Sequence, residues 1–295
     1  MSWVRERTLN WFQLLALKII KTGQLPRHVA FIMDGNRRYA NKRNIVKKEG
    51  HSQGFEKMTE TLNWCMDLGI LEVTVYAFSI ENFKRSKEEV DELMDLARQK
   101  FKRLLEEKDK LMEFGVCIRV IGNLSLLPED LCKLIAEAMV LTKDNNKAFL
   151  NLAFCYTSRD EITHTIKDIV KGVKHTDILP EDINEHLIAD CLYTYKSPNP
   201  DLLIRTSGET RLSDYLLWQI ADSCVYFTDV LWPEFSIWHF LGAVFYYQRC
   251  YPDLQKFRKN SKPIVHNSRV SMYIDKLHHE RDVMIKNIYL STVQS

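Results

Sequence analysis

A strong charge of one sign, a cysteine pattern and a long apolar run are all missing from this sequence. Lys and Arg number 41 against 39 Asp and Glu, a formal net charge of +2, so no global field attracts nucleic acid. The seven cysteines form no Cys-x-x-Cys pair, which argues against a zinc site or a disulfide framework and favours a reducing compartment. We expect most of them to be buried apolar fillers.

The N-terminal segment shows neither a signal peptide nor a bilayer span. Arg5 and Arg7 interrupt it early, and the apolar stretch at 14–20 is shorter than the roughly 20 residues that cross a membrane. Together with Trp3, Trp11 and Phe12, this stretch could lie on a membrane surface as an interfacial helix, or across an apolar opening. A helix packed against its own domain explains the pattern equally well.

Short apolar runs rich in β-branched residues alternate with stretches of helical periodicity. The predicted strands are His28–Met33, Glu72–Phe78, Val116–Ile121, Phe149–Cys155, Leu202–Arg205 and Cys224–Thr228. The predicted helices lie at about 51–68, 87–113, 128–143, 158–173 and 234–250. This alternation predicts an α/β fold, in which a mostly parallel central sheet of about six strands is flanked by helices.

No internal repeat, low-complexity tract or Gly/Ser linker divides the chain. We therefore predict one domain at 25–257, preceded by an amphipathic helix within 1–24 and followed by a basic, partly helical extension at 258–295. The longest predicted helix, 87–113, would extend about 40 Å. Its apolar stripe is typical of a core helix, and it could also line an apolar tunnel for a long hydrocarbon.

A cluster of charged residues follows the first predicted strand, at the kind of position where parallel α/β sheets bind ligands. Asp34 offers oxygens of the kind that Mg²⁺ prefers, and Gly35 lets backbone N–H groups approach an anion. Asn36 comes next, and Arg37 and Arg38 add forked cationic donors. Downstream lie Lys42, Arg43, Lys47, Lys48 and His51. One carboxylate among many cations predicts a diphosphate site with a bridging metal, although a solvated basic loop gives the same pattern.

Polar residues also follow the second and fifth predicted strands. The second strand is followed by Ser79, Glu81, Asn82 and Arg85. By itself this signal is weak, because strand-to-helix loops are usually polar. The fifth strand ends at Arg205, and Arg211 and Ser213 follow it; two such arginines could fork onto phosphate oxygens. Three anion-binding loops at three strand ends predict one basic pocket for two phosphorylated substrates.

Five segments around these clusters resemble the signature motifs of the cis-prenyltransferases. They are 28–40 (HVAFIMDGNRRYA), 50–54 (GHSQG), 76–85 (YAFSIENFKR), 201–218 (DLLIRTSGETRLSDYLLW) and 231–235 (LWPEF). The resemblance covers about 25–250 with motif order and spacing kept, and such a set is highly specific. The amino-acid sequences of the first and fourth segments resemble the eukaryotic, dolichol-forming branch rather than the bacterial undecaprenyl branch.

The resemblance implies an enzyme that condenses isopentenyl diphosphate repeatedly onto farnesyl diphosphate. The product would be a long-chain polyprenyl (dehydrodolichyl) diphosphate for dolichol synthesis and protein glycosylation. Asp34 would hold Mg²⁺, with Asn36 and Arg38 as further catalytic residues. The substrate-binding residues would be Gly35, Asn36, Arg37, Arg38, Lys47, His51, Ser79, Glu81, Asn82, Arg85, Arg205, Arg211 and Ser213. Within this set, the residues around Gly35 and His51 would take farnesyl diphosphate, and Arg85, Arg205, Arg211 and Ser213 would take isopentenyl diphosphate.

The sequence departs from the bacterial pattern in three places. Lys47 stands where bacterial members carry Arg, and Cys224 stands where they carry a Glu that assists the metal. No Arg-x-Gly element follows Tyr251, although homodimeric members use one to contact substrate phosphates. The resemblance therefore implies a second cis-prenyltransferase-like subunit, of the Nogo-B receptor type, that supplies this element. We expect its interface at the aromatic-rich stretch 232–247, which is equally typical of a core helix.

A polyprenyl product is too apolar to leave into water. We therefore expect the protein to associate peripherally with the cytosolic face of the endoplasmic reticulum membrane, with the N-terminal segment as its anchor.

Two other classes of protein share part of this pattern. A non-catalytic regulatory partner of the same fold would have lost the metal aspartate and the phosphate arginines, whereas all of them remain here. A nucleic-acid-binding α/β protein would interleave stacking aromatics with its basic residues, and the basic loops hold only Tyr39 and Phe83. His278 and His279 lack the spacing and companions of metal ligands. We therefore predict a catalytic subunit that has no nucleic-acid partner.

Overall fold

The protein is described by a computed structural model at residues 9–258 and 266–293. Within these residues one sheet is formed by the strands β1 (His28–Ile32), β2 (Glu72–Ser79), β3 (Val116–Ile121), β4 (Ala148–Tyr156), β5 (Leu202–Arg205) and β6 (Cys224–Phe227). The strand order is β3-β4-β2-β1-β5-β6, and every neighbouring pair is parallel. The predicted α/β fold with a parallel six-stranded sheet is confirmed.

Helices connect these strands. They are α1 (Trp11–Ile20), α2 (Asn36–Lys42), α3 (Lys47–Leu68), α4 (Lys87–Glu106), α5 (Lys108–Phe114), α6 (Glu129–Thr142), α7 (Ser158–Lys174), α8 (Glu185–Cys191), α9 (Ile237–Arg258) and α10 (Ser268–Val293). The short helices α2 and α8 were not predicted, because seven residues give too little periodicity to detect.

The two central strands place the end of β1 beside the end of β5. Every residue of both strands is buried, as expected for central strands covered on both faces. In the parallel register Ile32 lies opposite Arg205, so the loops that follow these strands leave the sheet side by side. The next strand in the chain, β2, pairs with one side of β1, whereas β5 pairs with the other side. This reversal of strand order opens a crevice at the carboxyl ends of β1 and β5.

The predicted single helix at 87–113 is wrong. The helix breaks at Glu107, whose φ of −97° and ψ of 17° lie outside the helical region. Its N–H still donates to the carbonyls of Arg103 and Leu104, and α4 ends there after about 30 Å at 1.5 Å per residue. The shorter α5 then runs to Gly115, which adopts a left-handed conformation with φ of 64°.

Helix α1 lies against α9 and leaves most of its apolar side chains in solvent. Leu17 is buried, and the Gln248 side chain of α9 donates to the carbonyl of Ile20 at 2.8 Å. Asn10 caps the helix by accepting from the N–H of Gln13.

Helix α10 covers a separate apolar cluster formed by α7 and α8. Val270, Tyr273, Ile274 and Leu277 pack there against Ile169, Ile178, Leu187 and Cys191. Ion pairs and hydrogen bonds border the cluster: Arg269 with Asp182 at 2.8 Å, and Arg281 with Asp168 at 3.1 Å. The described part of the predicted C-terminal extension is therefore attached to the main domain; the division at 25–257 stays a prediction.

Candidate active site

The carboxylate of Asp34 lies at the centre of the crevice, immediately beyond the end of β1. Its Oδ1 accepts from the N–H of Gly35 at 2.7 Å, and its Oδ2 accepts from Arg205 at 2.9 Å. Arg38 lies 3.6 Å from the same Oδ2. Two arginines thus neutralise one carboxylate that still faces the crevice, with its side chain 34% exposed.

Glycines allow α2 to sit deep against the end of the sheet. Gly35 begins the helix with φ of 107°, a left-handed value that favours glycine. A Cβ on Gly54 would lie 2.2 Å from the side-chain oxygen of Asn36, and one on Gly50 would lie 2.6 Å from its carbonyl oxygen. The start of α2, including Asn36, therefore packs closely against Gly50 and Gly54 of the GHSQG segment in α3.

Glu89 gathers three cations at one side of the crevice. It accepts from Arg85 at 2.8 Å, and it pairs with Lys47 at 3.4 Å and Arg37 at 3.7 Å. Burial alone would raise the pKa of Glu89, but these cations hold the pKa below its usual range. Burial also lowers the pKa of Arg85, and the charge of Arg37 adds to the effect. Glu89 was not predicted, although its position one helical turn after Arg85 could have suggested it.

His51 is a neutral imidazole in cationic surroundings. Burial lowers its pKa to about 4, and the charges of Arg85, Arg37 and Lys47 act in the same direction, against Glu89. A neutral ring can either donate or accept through Nε2.

The loop after β2 folds on itself as a short 3-10 helix at Ile80–Lys84. Ser79 caps it by accepting from the N–H of Glu81, and Asn82 accepts from the N–H of Ser79 at 3.0 Å. Glu81 pairs with the exposed Lys84. The loop's hydrogen bonds thus fix the start of α4 and the direction of Arg85.

Arg205 joins the first and third predicted clusters. Its side chain is 3% exposed and donates to Ser213 Oγ at 2.7 Å, to the carbonyl of Arg211 and to Asp34. The side chain of Arg211 is exposed and pairs with Glu209, which also lies 3.4 Å from Arg38. Arg38 in turn donates to Ser207 Oγ. The two loops are therefore one connected network.

A cavity of about 600 Å³ opens between these loops and extends inward between α3 and α4, a size typical of ligand sites. Eleven of the fourteen predicted site residues line it, namely Asp34, Asn36, Arg37, His51, Ser79, Glu81, Asn82, Arg85, Arg205, Arg211 and Ser213. Gly35 and Arg38 do not line it but adjoin or contact Asp34, and Lys47 pairs with Glu89, which in turn pairs with the lining residue Arg85. Arg159 lines it as well and was missed, although it follows the end of β4 by three residues.

The inner half of the cavity is apolar. Its walls are Phe55, Met58, Leu93, Leu96, Ala97, Phe101, Leu152, Phe154 and Trp232, with the side chain of Lys100 among them. The indole N–H of Trp232 donates to the carbonyl of Gly54 at 2.7 Å, which fixes one wall. Helix α4 lines the cavity as expected for the predicted tunnel, whereas no residue of α5 does.

Three buried polar atoms around the cavity lack a hydrogen-bond partner within the described chain: Asn36 Oδ1, His51 Nε2 and Arg205 Nε. Such groups are costly unless a ligand or water meets them. No group of three or more His, Cys, Asp and Glu side chains gathers at a possible metal site in residues 9–258 and 266–293. A divalent cation at Asp34 would therefore take most of its oxygens from substrate and water, which is how Mg²⁺ is often bound.

Cys224, which stands where bacterial members carry a Glu that assists the metal, lies far from Asp34 of its own chain. Cys224 begins β6 in register with Leu202 and Val29, whereas Asp34 lies beyond the opposite end of β1. Five residues of extended chain separate these levels by about 16 Å. Cys224 is buried and interacts instead with Cys250 of α9.

The fold and the cavity define an α/β protein with a cationic entrance and an apolar interior, suited to a ligand with an anionic head and a hydrocarbon tail. The family described as "Putative undecaprenyl diphosphate synthase" matches residues 32–252. The chain belongs to this family, the cis-prenyltransferases. The predicted family and the predicted enzyme class, a prenyltransferase, are confirmed.

The chain is similar to the dehydrodolichyl diphosphate synthase complex subunit of Homo sapiens, with 58% identity over 258 residues that cover 88% of this chain and 78% of that protein. A subunit of the same name in Schizosaccharomyces pombe is 44% identical over 82% of this chain and 92% of its own. Lavandulyl diphosphate synthase from Lavandula x intermedia, solved in complex with dimethylallyl diphosphate, has a similar fold, with a TM-score of 0.72 and 35% identity over 76% of this chain and 95% of its own.

Proposed function

We propose that this chain is the catalytic subunit of a cis-prenyltransferase that condenses isopentenyl diphosphate repeatedly onto farnesyl diphosphate. Its product would be long-chain dehydrodolichyl diphosphate, the precursor of dolichol for protein glycosylation. One observation carries the proposal: a single cavity joins Asp34 and a set of arginines at its mouth to an apolar interior between α3 and α4. Two of the relatives described above bear the corresponding name.

The residues at the mouth divide between two anions. Asn36, Arg37, Arg38 and His51 lie on α2 and α3 and would hold the diphosphate of farnesyl diphosphate. Arg85, Arg205, Arg211 and Ser213 lie towards the loops after β2 and β5 and would hold isopentenyl diphosphate. The three unpartnered atoms Asn36 Oδ1, His51 Nε2 and Arg205 Nε face or adjoin these positions and would be satisfied on binding.

Condensation would then depend on positioning and charge stabilisation. The C1–O bond of the allylic substrate breaks, and pyrophosphate departs with the bonding electrons. The isopentenyl double bond attacks C1, and loss of one proton leaves a new cis double bond. Asp34 would hold Mg²⁺, which when bound offsets charge on the departing pyrophosphate. The arginines donate to the same oxygens by forked hydrogen bonds, and the growing tail enters the apolar interior.

A second subunit is part of the proposal, because the relatives bear the name of a complex subunit. We infer that the partner has the same fold, is of the Nogo-B receptor type and carries the Arg-x-Gly element. Trp238, Phe245 and Tyr246 of α9 are 52%, 54% and 43% exposed and form an apolar patch. Trp232, Phe235, Phe240 and Tyr247 are buried in the core, so only one face of the stretch 232–247 is available to a partner.

A membrane surface is the second proposed partner. Trp11, Phe12 and Ile19 of α1 are 67%, 68% and 61% exposed, with Lys18 and Lys21 beside them, which suits an interfacial helix. Of the helices that the structure describes, none combines the length and the apolar character needed to cross a bilayer. We therefore propose peripheral attachment to the cytosolic face of the endoplasmic reticulum membrane.

The test is an assay with radiolabelled isopentenyl diphosphate, farnesyl diphosphate and Mg²⁺, with and without the candidate partner, in which products are separated by chain length. We expect Mg²⁺-dependent long products that require the partner for full yield. A chain that binds the partner but contributes no turnover, tested by a partner-only control, would instead be a regulatory subunit. The presence of Asp34, Arg85 and Arg205 around one cavity argues against that alternative.

A further inference from the structure

The loop after β5 is held in an unusual backbone conformation. Ser207, Ser213, Asp214 and Leu216 all have positive φ, of 79°, 50°, 59° and 48°. Such values cost energy for residues other than glycine and persist only when surrounding structure enforces them. Because Arg211 and Ser213 belong to this loop, the enforcing contacts determine where the proposed isopentenyl diphosphate ligands lie.

The start of α7 makes many of these contacts. Ser158 donates its N–H to the carbonyl of Asp214 at 2.8 Å, and its Oγ accepts from the N–H of Leu217 at 2.8 Å. Arg159 donates its N–H to the Asp214 carboxylate at 3.1 Å. From β2, Tyr76 donates to the carbonyl of Ser213 at 3.3 Å and stacks on Tyr215 with ring centroids 4.4 Å apart. The part of the loop from Ser213 to Leu217 is thus attached to α7 and β2.

Glu161 follows Ser158 and Arg159 in the first turn of α7. Its side chain has no exposed surface and does not line the cavity. Its carboxylate accepts from Tyr156 Oη at 2.5 Å, from Gln219 Nε2 at 2.9 Å and from the N–H of Tyr193 at 2.8 Å. All three of these partners are donors, which is the arrangement that an ionised carboxylate satisfies. Burial raises the pKa of Glu161, and these hydrogen bonds oppose that shift.

The geometry assigns to Glu161 a role as positioning residue for the second diphosphate site. Through Gln219 at the end of the loop and Tyr156 at its base, it fixes the strained segment that carries Arg211 and Ser213. The inference rests on the proposed function, because it names a support for the isopentenyl diphosphate ligands.

The matched test compares Glu161→Gln with Glu72→Gln in the complete enzyme. Glu72 is also a buried carboxylate, 5% exposed, and it accepts from Asn151 at 2.8 Å and from Arg119 at 3.3 Å. It begins β2 and so lies at the amino-terminal end of the strands, opposite the cavity. The amide introduced by Glu161→Gln would place an N–H₂ group against at least one donor. We expect the KM for isopentenyl diphosphate to rise about tenfold, the scale of one charge-assisted hydrogen bond, with the KM for farnesyl diphosphate changed by less than about twofold.

Glu72→Gln should lower Tm without separating the two KM values. If Glu161→Gln lowers Tm but shifts both KM values equally or neither, Glu161 is only structural and the inference is overturned. The double change Glu161→Gln with Gln219→Glu restores one carboxylate–amide pair. It should bring the raised KM for isopentenyl diphosphate part of the way back to its original value.

Should Glu161→Gln fail to fold, Ser158→Ala decides the question, because it removes only the hydroxyl that accepts from the Leu217 N–H at 2.8 Å and lies 3.3 Å from Tyr156 Oη, a partner of Glu161. A selective rise in the isopentenyl KM supports the inference, and unchanged KM values overturn it. Absence of prenyl transfer by the unaltered enzyme with its partner would refute the proposed function itself, an outcome separate from either result.

Discussion

Asp34 is one carboxylate among at least four arginines that line or adjoin the cavity. Its ion pair with the buried Arg205 means that removal of the whole side chain would leave a buried charge without its partner. A change that keeps the shape of the side chain and removes only the charge therefore separates chemistry from folding.

For Asp34→Asn we expect turnover to fall by about a hundred- to a thousandfold, the usual cost of one electrostatic contact in the transition state. The amide oxygen still accepts from Arg205, so Tm should change little. Steady-state kinetics and thermal unfolding measure the two effects. Asp201→Asn is the control, because Asp201 is a buried carboxylate at the start of β5, away from the cavity; near-normal turnover of Asp34→Asn would remove Asp34 from the mechanism.

His51 predicts a pH dependence of folding. Its pKa of about 4 in the folded protein is below the ordinary value of about 6.5, so the unfolded chain binds more protons between these two pH values. The free energy of unfolding should therefore decrease as the pH falls from 6.5 to 4, by at most about 3 kcal/mol from this residue.

Comparison with His51→Gln isolates this contribution from those of other histidines. Denaturant unfolding between pH 4 and 7.5 gives the free energy of unfolding of both proteins. As the pH is lowered, that of the unaltered protein should fall relative to that of His51→Gln. A constant difference across this range contradicts the depressed pKa. A bound diphosphate should raise the pKa of His51 and reduce the effect.

At the scale of single residues, the sequence predicted the positions that follow strands and missed those brought in from elsewhere. Asp34, Arg85 and Arg205 each occur just beyond an apolar run, which marks a strand end in a parallel sheet. Glu89 lies inside a helical stretch and carries no such mark, so only the packing of α4 against the sheet brings it to the crevice. Arg159 follows the fourth predicted strand by four residues and carries the same mark, but it was overlooked.

Helix α4 forms one wall of the apolar interior. Leu93, Leu96, Ala97 and Phe101 line it from successive turns, as the three- and four-residue spacing requires. The break at Glu107 was not predictable from periodicity, because the apolar pattern continues through Leu111 and the interruption depends on how α5 meets β3.

Ala97→Leu adds three carbon atoms to this wall and should shorten the products. The larger side chain occupies space that the growing tail needs, while the diphosphate ligands at the mouth are untouched. Thin-layer separation of products should show a distribution shifted to fewer isoprene units at near-normal rates of the first condensation. Gln99→Leu, on the exposed side of the same helix, is the control; identical product lengths for both variants would place the tail elsewhere.

Helix α1 predicts membrane binding by three exposed apolar side chains. Replacing Trp11, Phe12 and Ile19 together by Ser should reduce flotation with liposomes by about tenfold or more, because each side chain contributes of order 1 kcal/mol on insertion. The control replaces Val46, Leu71 and Met272, exposed by 72%, 54% and 72%, by Ser. If both triple variants lose binding equally, α1 is not the specific anchor.

At the scale of the whole molecule, the order of strands and helices was predictable because each buried strand reads as an apolar run of four to eight residues. The position of α10 was not, since an amphipathic sequence does not specify the surface that it covers. The ion pairs of α10 join Arg281 to Asp168 and Arg269 to Asp182, residues that are more than 80 positions apart in sequence. No local pattern connects them.

The exposed patch on α9 predicts the partner interface. Trp238→Ser with Phe245→Ser should abolish the increase in turnover on adding the second subunit and should prevent co-sedimentation, since exposed aromatics commonly dominate the energy of interfaces. The fold should remain, because neither side chain belongs to the core. Met284→Ser, exposed by 51% on α10, is the control. Normal assembly of the double variant would move the interface to another surface.

The attachment of α10 has a consequence for biosynthesis. The apolar face of α7 and α8 is complete once Cys191 has been made, yet the helix that covers it ends at Val293, about 100 residues later. At 5 to 20 residues per second, a ribosome needs roughly 5 to 20 s to add them. During this interval the nascent chain exposes Ile169, Ile178 and Leu187 and is a substrate for chaperones. A premature stop codon before residue 268 would make that exposure permanent, so the truncated protein should be degraded or aggregate even though every residue at its cavity is present.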